Sequence, residues 1–328
     1  MSTACDDPVG PEVDPITELP RALTAAEQTV IARSNTFGID LLEAVDAARE
    51  PGKPNTILSP LSASMALGMA LQGAAGETFT EMQDVLGFQG LTREEISASY
   101  AGLLDLLLNL DPNVEIGIAN SAWSRQGFPF TQGYFDVLTQ AFNAMVQELD
   151  FSDPGSKDVI NQWVGDQTNG RIDSIIDAIG PLDILFLINA VYFKGDWDRA
   201  FRRERTRDDV FWLADGSQMV LPFMHQKSHF PYFHDRGLAA VALPYKFEKI
   251  QMLILLPHEA QSLADLVDGL TTADWDTIVE SLALTEIDLA LPRFQMEYDA
   301  ELTDDLMQMG VHDAFVTWDF ERLVDGRT

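Results

Sequence analysis

The sequence predicts an α+β protein, and three observations carry that prediction. Helical periodicity dominates the first third of the chain, one ten-residue stretch is apolar on both faces, and the remainder falls into short strand-prone runs separated by turn residues. At 328 residues the chain exceeds the usual size of a single core, so one large domain and two ordinary ones are both open at the outset. With no internal repeat and no low-complexity linker, one interlocked domain is favoured.

Between residues 24 and 48, Val30, Ile31, Phe37, Leu41, Leu42 and Val45 recur at helical spacing, and Pro51-Gly52-Lys53-Pro54 closes the segment. Asn55-Thr56-Ile57-Leu58 is a short extended run. Ser59-Pro60 then opens a helix over residues 62–72, since a serine hydroxyl accepts from the free N–H groups of a first turn and proline suits that turn. Met65, Ala66, Met69 and Ala70 mark it as buried. Helices over 77–86 and 92–110 follow, separated by Gly87 and Gly90.

From residue 114 to 123 the pattern changes to alternation and reads as a strand. A helix over 132–142, a strand over 144–149 and a helix over 156–168 come next. Residues 184–193 (ILFLINAVYF) are apolar on both faces, the mark of a central strand covered on both sides. Beyond Lys194-Gly195-Asp196-Trp197, strands over 209–212, 229–233, 238–243 and 250–256 are joined by turn residues and imply antiparallel hairpins. Past Pro257 the pattern predicts a helix over 263–282, strands over 286–291 and 293–298, and a helix over 301–309 that ends at Gly310.

Fifty-two acidic residues against twenty-one basic ones give a formal charge of -31, which repels nucleic-acid phosphates and anionic lipid and argues against those partners. The acidity is spread along the chain and reads as a solvated surface. No run is apolar and uncharged for long enough to form a membrane-spanning helix. Cys5 is the single cysteine, so an intrachain disulfide is impossible and stability rests on packing. It precedes an acidic, Pro-rich stretch that makes residues 1–20 a disordered tether. The context of Cys5 is similar to the lipid-attachment site of a bacterial lipoprotein, which would place the protein outside the cell or on its surface; an accidental thiol in a loose terminus is the alternative.

Enzyme signatures are lacking: there is no Gly-x-Ser-x-Gly elbow, no His-Glu-x-x-His and no phosphate loop. His225, His229 and His234 with Asp235 lie close in sequence, but residues along one strand diverge, so surface or packing roles are expected and no metal or other cofactor.

Five stretches in order resemble the serpins, the loop-inserting inhibitors of serine proteases: NTILSPLSASMALGM from Asn55, NQWVGDQTNGRI from Asn161, LINAVYFKGDWDRAF from Leu187, ALPYKFEKIQMLILLP from Ala242, and LPRFQMEYDAELTDDLMQMGVHDAF from Leu291. The resemblance implies a serpin domain over 21–328 with three β-sheets and eight or nine helices, the 184–193 strand lying near the middle of the largest sheet. It implies a polar cluster of Ser59, Ser62 and Asn189 beneath that sheet where its strands part. For Asn189 a hydrogen-bonding role also follows from cost, since an unpaired amide inside so apolar a strand is unfavourable. It further implies a loop-entry region built from Trp197, Tyr245 and Arg293; the acid at the loop's base that pairs with the matching basic residue would lie beyond Thr328, so Arg293 is expected to lack its partner and point into solvent.

In that family a protease cuts an exposed loop, and the loop then inserts as a new strand and traps the enzyme. The last residues, Val324-Asp325-Gly326-Arg327-Thr328, contain no hinge rich in Glu, Gly, Thr and Ala. The expectation is therefore a monomeric serpin body that stops short of its loop and final strands. It would have low stability, a serine or cysteine protease as the target of the parent, and a C-terminal strand peptide as a complementing partner. The alternatives are a non-inhibitory serpin-like binding or structural protein, or an inactive fragment.

Overall fold

Side-chain caps set where the helices begin. The computed structural model describes residues 19–324 except 50–54, 112–113, 214, 236, 247–248, 259–260, 299 and 318; Cys5 and most of the predicted tether lie outside them. Thr24 and Glu27 form a reciprocal cap on α1 (Ala25–Ala47), and Thr92 with Glu95 does the same for α4 (Arg93–Leu108). Ser59 caps α2 (Pro60–Gly73), with Pro60 in its first turn, and α3 (Gly76–Val85) follows. Arg93 closes the other end of α2 by donating to the carbonyls of Leu71 and, at 3.0 Å, Ala74, while its guanidinium lies 3.9 Å from the centre of the Phe79 ring. Burial lowers the pKa of that guanidinium to about 10.

Three strands form the first sheet, in the order β2 (Met145–Leu149), β1 (Glu115–Arg125), β3 (Leu185–Lys194). β1 pairs β2 in parallel and β3 in antiparallel register, with Asn120 opposite Asn189. The first face rests on α2 and α5 (Gln132–Phe142) in a core containing Phe37, Met65, Met69, Leu138 and Phe142. Its opposite face carries α6 (Ser156–Gln167), whose Ile160 and Val164 pack with Trp123 and Ile188. Gly68 is required where α2 meets α4, because a Cβ there would lie 2.7 Å from the Tyr100 ring. β3 is thus covered on both faces, as its composition predicts.

The second sheet joins β4 (Arg207–Trp212), β5 (Gln218–His234), β6 (Leu238–Pro244) and β7 (Gln251–Pro257), with β8 (Ala283–Pro292) also on β5. β5 is seventeen residues long and pairs in turn with β4, β8 and β6, so regions expected to be separate sheets share one hydrogen-bonded ladder. The resemblance implies three sheets; the described residues form two such ladders. Helices α7 (Leu263–Gly269) and α8 (Thr272–Glu280) replace the single helix predicted over 263–282, because Thr271 leaves the helix and caps α8 through Asp274. The chain then gives α9 (Thr303–Met309) and α10 (Asp313–Val316), making ten α-helices among the described residues.

Three local expectations are corrected. Residues 293–298 are not a strand: they have no ladder partner among the described residues, and Phe294 and Met296 are exposed. β3, expected near the middle of the largest sheet, is the edge strand of the three-stranded sheet among the described residues. Ile31, counted on the buried face of α1, faces outward, and Glu27 is buried instead. Its carboxylate receives Arg21 at 2.6 Å and the backbone N–H of Thr24.

Candidate functional site

A strand packed against on both faces but paired along one edge leaves backbone groups unmade, and among the described residues β3 is such a strand. Its backbone bonds to β1 on one side; on the other no described strand pairs with it. An apolar slot of about 220 Å³ on the face of β3 toward α2 and α5 is lined by Ala70, Tyr134, Leu185, Leu187, Phe320 and Leu323.

In the middle of β3, the Asn189 amide donates to Asn120 Oδ1 at 2.9 Å, and Asn120 donates to the Phe142 carbonyl at 2.7 Å. Asn189 Oδ1 is buried without a hydrogen-bond partner. The sheet thus holds a two-amide relay with one acceptor to spare. Ser59 and Ser62 meet each other instead, hydroxyl to hydroxyl at 2.8 Å, at the exposed start of α2, where Ser59 also accepts from the Ser62 backbone N–H. The structure therefore joins Ser59 to Ser62 and Asn189 to Asn120, with no hydrogen bond between the two pairs. Asn120 was read from sequence only as part of an alternating strand. Its role depends on strand register, which composition does not reveal.

At the end of β3, Trp197 stacks on Tyr245 with ring centroids 4.6 Å apart and planes within 12°, and Tyr245 meets Phe193 edge-on at 4.9 Å. Backbone bonds lock this turn to β6: Asp198 N–H to the Pro244 carbonyl at 3.0 Å and Lys246 N–H to the Asp196 carbonyl at 2.9 Å. Gly195 permits the approach, since a Cβ would lie 2.8 Å from the Tyr245 ring. Burial raises the Tyr245 phenol above its ordinary pKa. Arg293 is exposed and lines the same cleft as Trp197, without an ion pair among the described residues. Trp197, Tyr245 and Arg293, singled out separately in the sequence, thus gather at one end of β3.

The histidines do not converge. His225 faces Arg207, while His234 packs edge-on against His258 at 5.1 Å. Asp235 accepts from the backbone N–H groups of Gly237 and Leu238, which lowers its pKa. No group of three or more potential metal ligands occurs among the described residues.

The family model for serpins, serine protease inhibitors, matches residues 32–328. An uncharacterized serpin-like protein of Thermococcus kodakarensis is 34% identical over 308 residues, covering 92% of this chain and 70% of that protein. Intracellular coagulation inhibitor 2 of Tachypleus tridentatus is 33% identical over 86% of this chain and 70% of its own length. Among solved structures, the thermophilic serpin tengpin in its latent state superposes with a TM-score of 0.83 at 26% identity, covering 93% of this chain and 81% of that one.

Proposed function

The chain belongs to the serpin family, and from that premise we propose that it serves protease inhibition, not catalysis, by accepting an additional strand at the free edge of β3. The observation that carries this reading is the edge of β3 that no described strand pairs, on a strand packed against from both faces. A strand added there would make the backbone bonds that β3 leaves unmade and place side chains over the slot beside Leu185 and Leu187. In this scheme the inserting strand is a loop already cut by a serine protease, and its movement carries the attached enzyme with it. Asn189 Oδ1 offers the new strand a buried acceptor, and the stacked Trp197 and Tyr245 stand where it enters. The Ser59–Ser62 pair steadies the start of α2 beneath the sheet.

The test is a synthetic peptide as long as β3 and rich in Thr and Ala, added to the chain. It should raise the melting temperature and protect from hydrogen exchange the β3 amides that do not bond to β1. A peptide that changes neither would sink the proposal. Inhibition by this route also needs a cleavable loop, which is not among the described residues. An SDS-resistant adduct with a serine protease is its readout, and a sheet that takes the peptide without ever yielding that adduct would favour the non-inhibitory reading.

A further inference from the structure

The chain is strongly acidic, yet its cations are not evenly distributed. Lys194, Arg199, Arg202, Arg203, Arg205 and Arg207 place six of the twenty-one basic residues within one short stretch between β3 and β4, against Asp196, Asp198 and Glu204. The fold adds two more from distant sequence, Lys246 just after β6 and Arg293 just after β8, around a cleft of about 740 Å³. Trp197, Phe201 and Thr206 contribute to its walls, and Trp197 meets Phe201 edge-on at 6.3 Å.

Among the described residues lining the cleft, the charges do not cancel. The cleft's one lining carboxylate among the described residues is Asp196, which is held by Lys246 at 3.2 Å. The guanidinium groups of Arg203 and Arg293 are exposed and have no hydrogen bond or ion pair among the described residues. Arg199 is occupied with Ser228, the His229 carbonyl and Asp198, and Arg207 with His225, so these two flank the cleft without serving it. Two free planar forks facing one concave space, beside an ammonium that Asp196 already holds, form a donor set that suits oxyanions, since guanidinium binds carboxylate and phosphate oxygens in pairs.

We propose that this cleft binds a small anion carrying two or more negative charges, borne by phosphate or carboxylate groups. The surrounding charge of -31 selects for small size, because a long polyanion extending from the cleft would run over repelling surface. The proposal shares Trp197 and Arg293 with the loop-entry end of β3, but its readout, binding of a small anion, does not require strand insertion.

Calorimetric titration with inorganic pyrophosphate and, separately, with tricarballylate, at constant ionic strength set by sodium chloride, tests it and shows which oxyanion is preferred. One of them should bind with one-to-one stoichiometry. Arg203→Gln and Arg293→Gln should each weaken binding at least about tenfold, whereas Arg171→Gln, a change to an exposed arginine outside the cleft, leaves it unchanged. All three side chains are exposed, so these variants should fold, and circular dichroism checks that they do. Absence of binding by both probes would overturn the assignment. So would affinity indifferent to the two cleft arginines, or tighter binding of a long sulfated polysaccharide than of either small anion.

Discussion

The helices α1–α5 packed on the first sheet bury Phe37, Met69, Leu71, Leu138 and Phe142 to 1% exposure or less, whereas the β4–β5 hairpin leaves Trp212 and Val220 at 64% and 65%. The two regions use similar apolar side chains. They differ in how their backbones are satisfied. A helix closes its hydrogen bonds within itself and needs a neighbour only for its apolar stripe, so local caps such as Thr24–Glu27 and Thr92–Glu95 complete it. A strand makes its backbone hydrogen bonds with neighbouring strands, and an antiparallel sheet can leave one face in solvent. In strands, Leu284 and Leu256 remain exposed. The helical region is therefore finished locally, while one edge of β3 has no strand partner among the described residues.

That contrast can be broken by mutation. The largest effect is expected from Phe142→Ala, which removes a fully buried ring from the helical core and should lower stability by about 3–5 kcal/mol in a denaturant titration. A loss below about 1 kcal/mol would show that this core is not the tightly packed region described. Next, Asn120→Ala takes away both the acceptor of the Asn189 amide and the donor to the Phe142 carbonyl, and should cost about 1–3 kcal/mol. Stability equal to the parent would remove the amide relay from the account of β3.

The clasp at the start of α1 should give a smaller, pH-dependent effect. Arg21 and the cap hold the folded Glu27 carboxyl at about 2, below its ordinary 4.5. Its contribution is then complete above pH 4.5 and disappears as pH falls from there through about 2. Glu27→Gln should flatten the melting-temperature profile in that window, and high salt should blunt the difference because Arg21 is 38% exposed. An unchanged acid profile would contradict the clasp. At the low end, Trp212→Ser should shift stability by no more than about 0.5 kcal/mol, while raising the protein concentration at which aggregation begins. A large stability loss there would mean that the hairpin is packed after all.

Much of this molecule was readable before its structure. Periodicity and caps located α1 to α6 nearly to the residue, and the double-faced apolar run identified β3, because these signals reside in short contiguous segments. The misreadings have one physical origin. Residues 293–298 have strand chemistry but no partner, β5 extends well beyond its apolar portion because β4 and β8 pair with it, and the helix predicted over 263–282 breaks where Thr271 finds a better hydrogen bond as a cap.

For the candidate site, the sequence by itself determined which residues were available: an amide in an apolar strand, two serines at a helix start, an indole after a glycine and an arginine after a proline. Only the tertiary structure decided their company. Register set Asn189 against Asn120 and not against the serines, a backbone turn laid Trp197 on Tyr245, and strands far apart in sequence brought Arg293 to the same cleft as Arg203. Pairing across strands is a long-range choice made by backbone hydrogen bonds, which every residue except proline offers alike, so side-chain chemistry along the chain does not encode it locally.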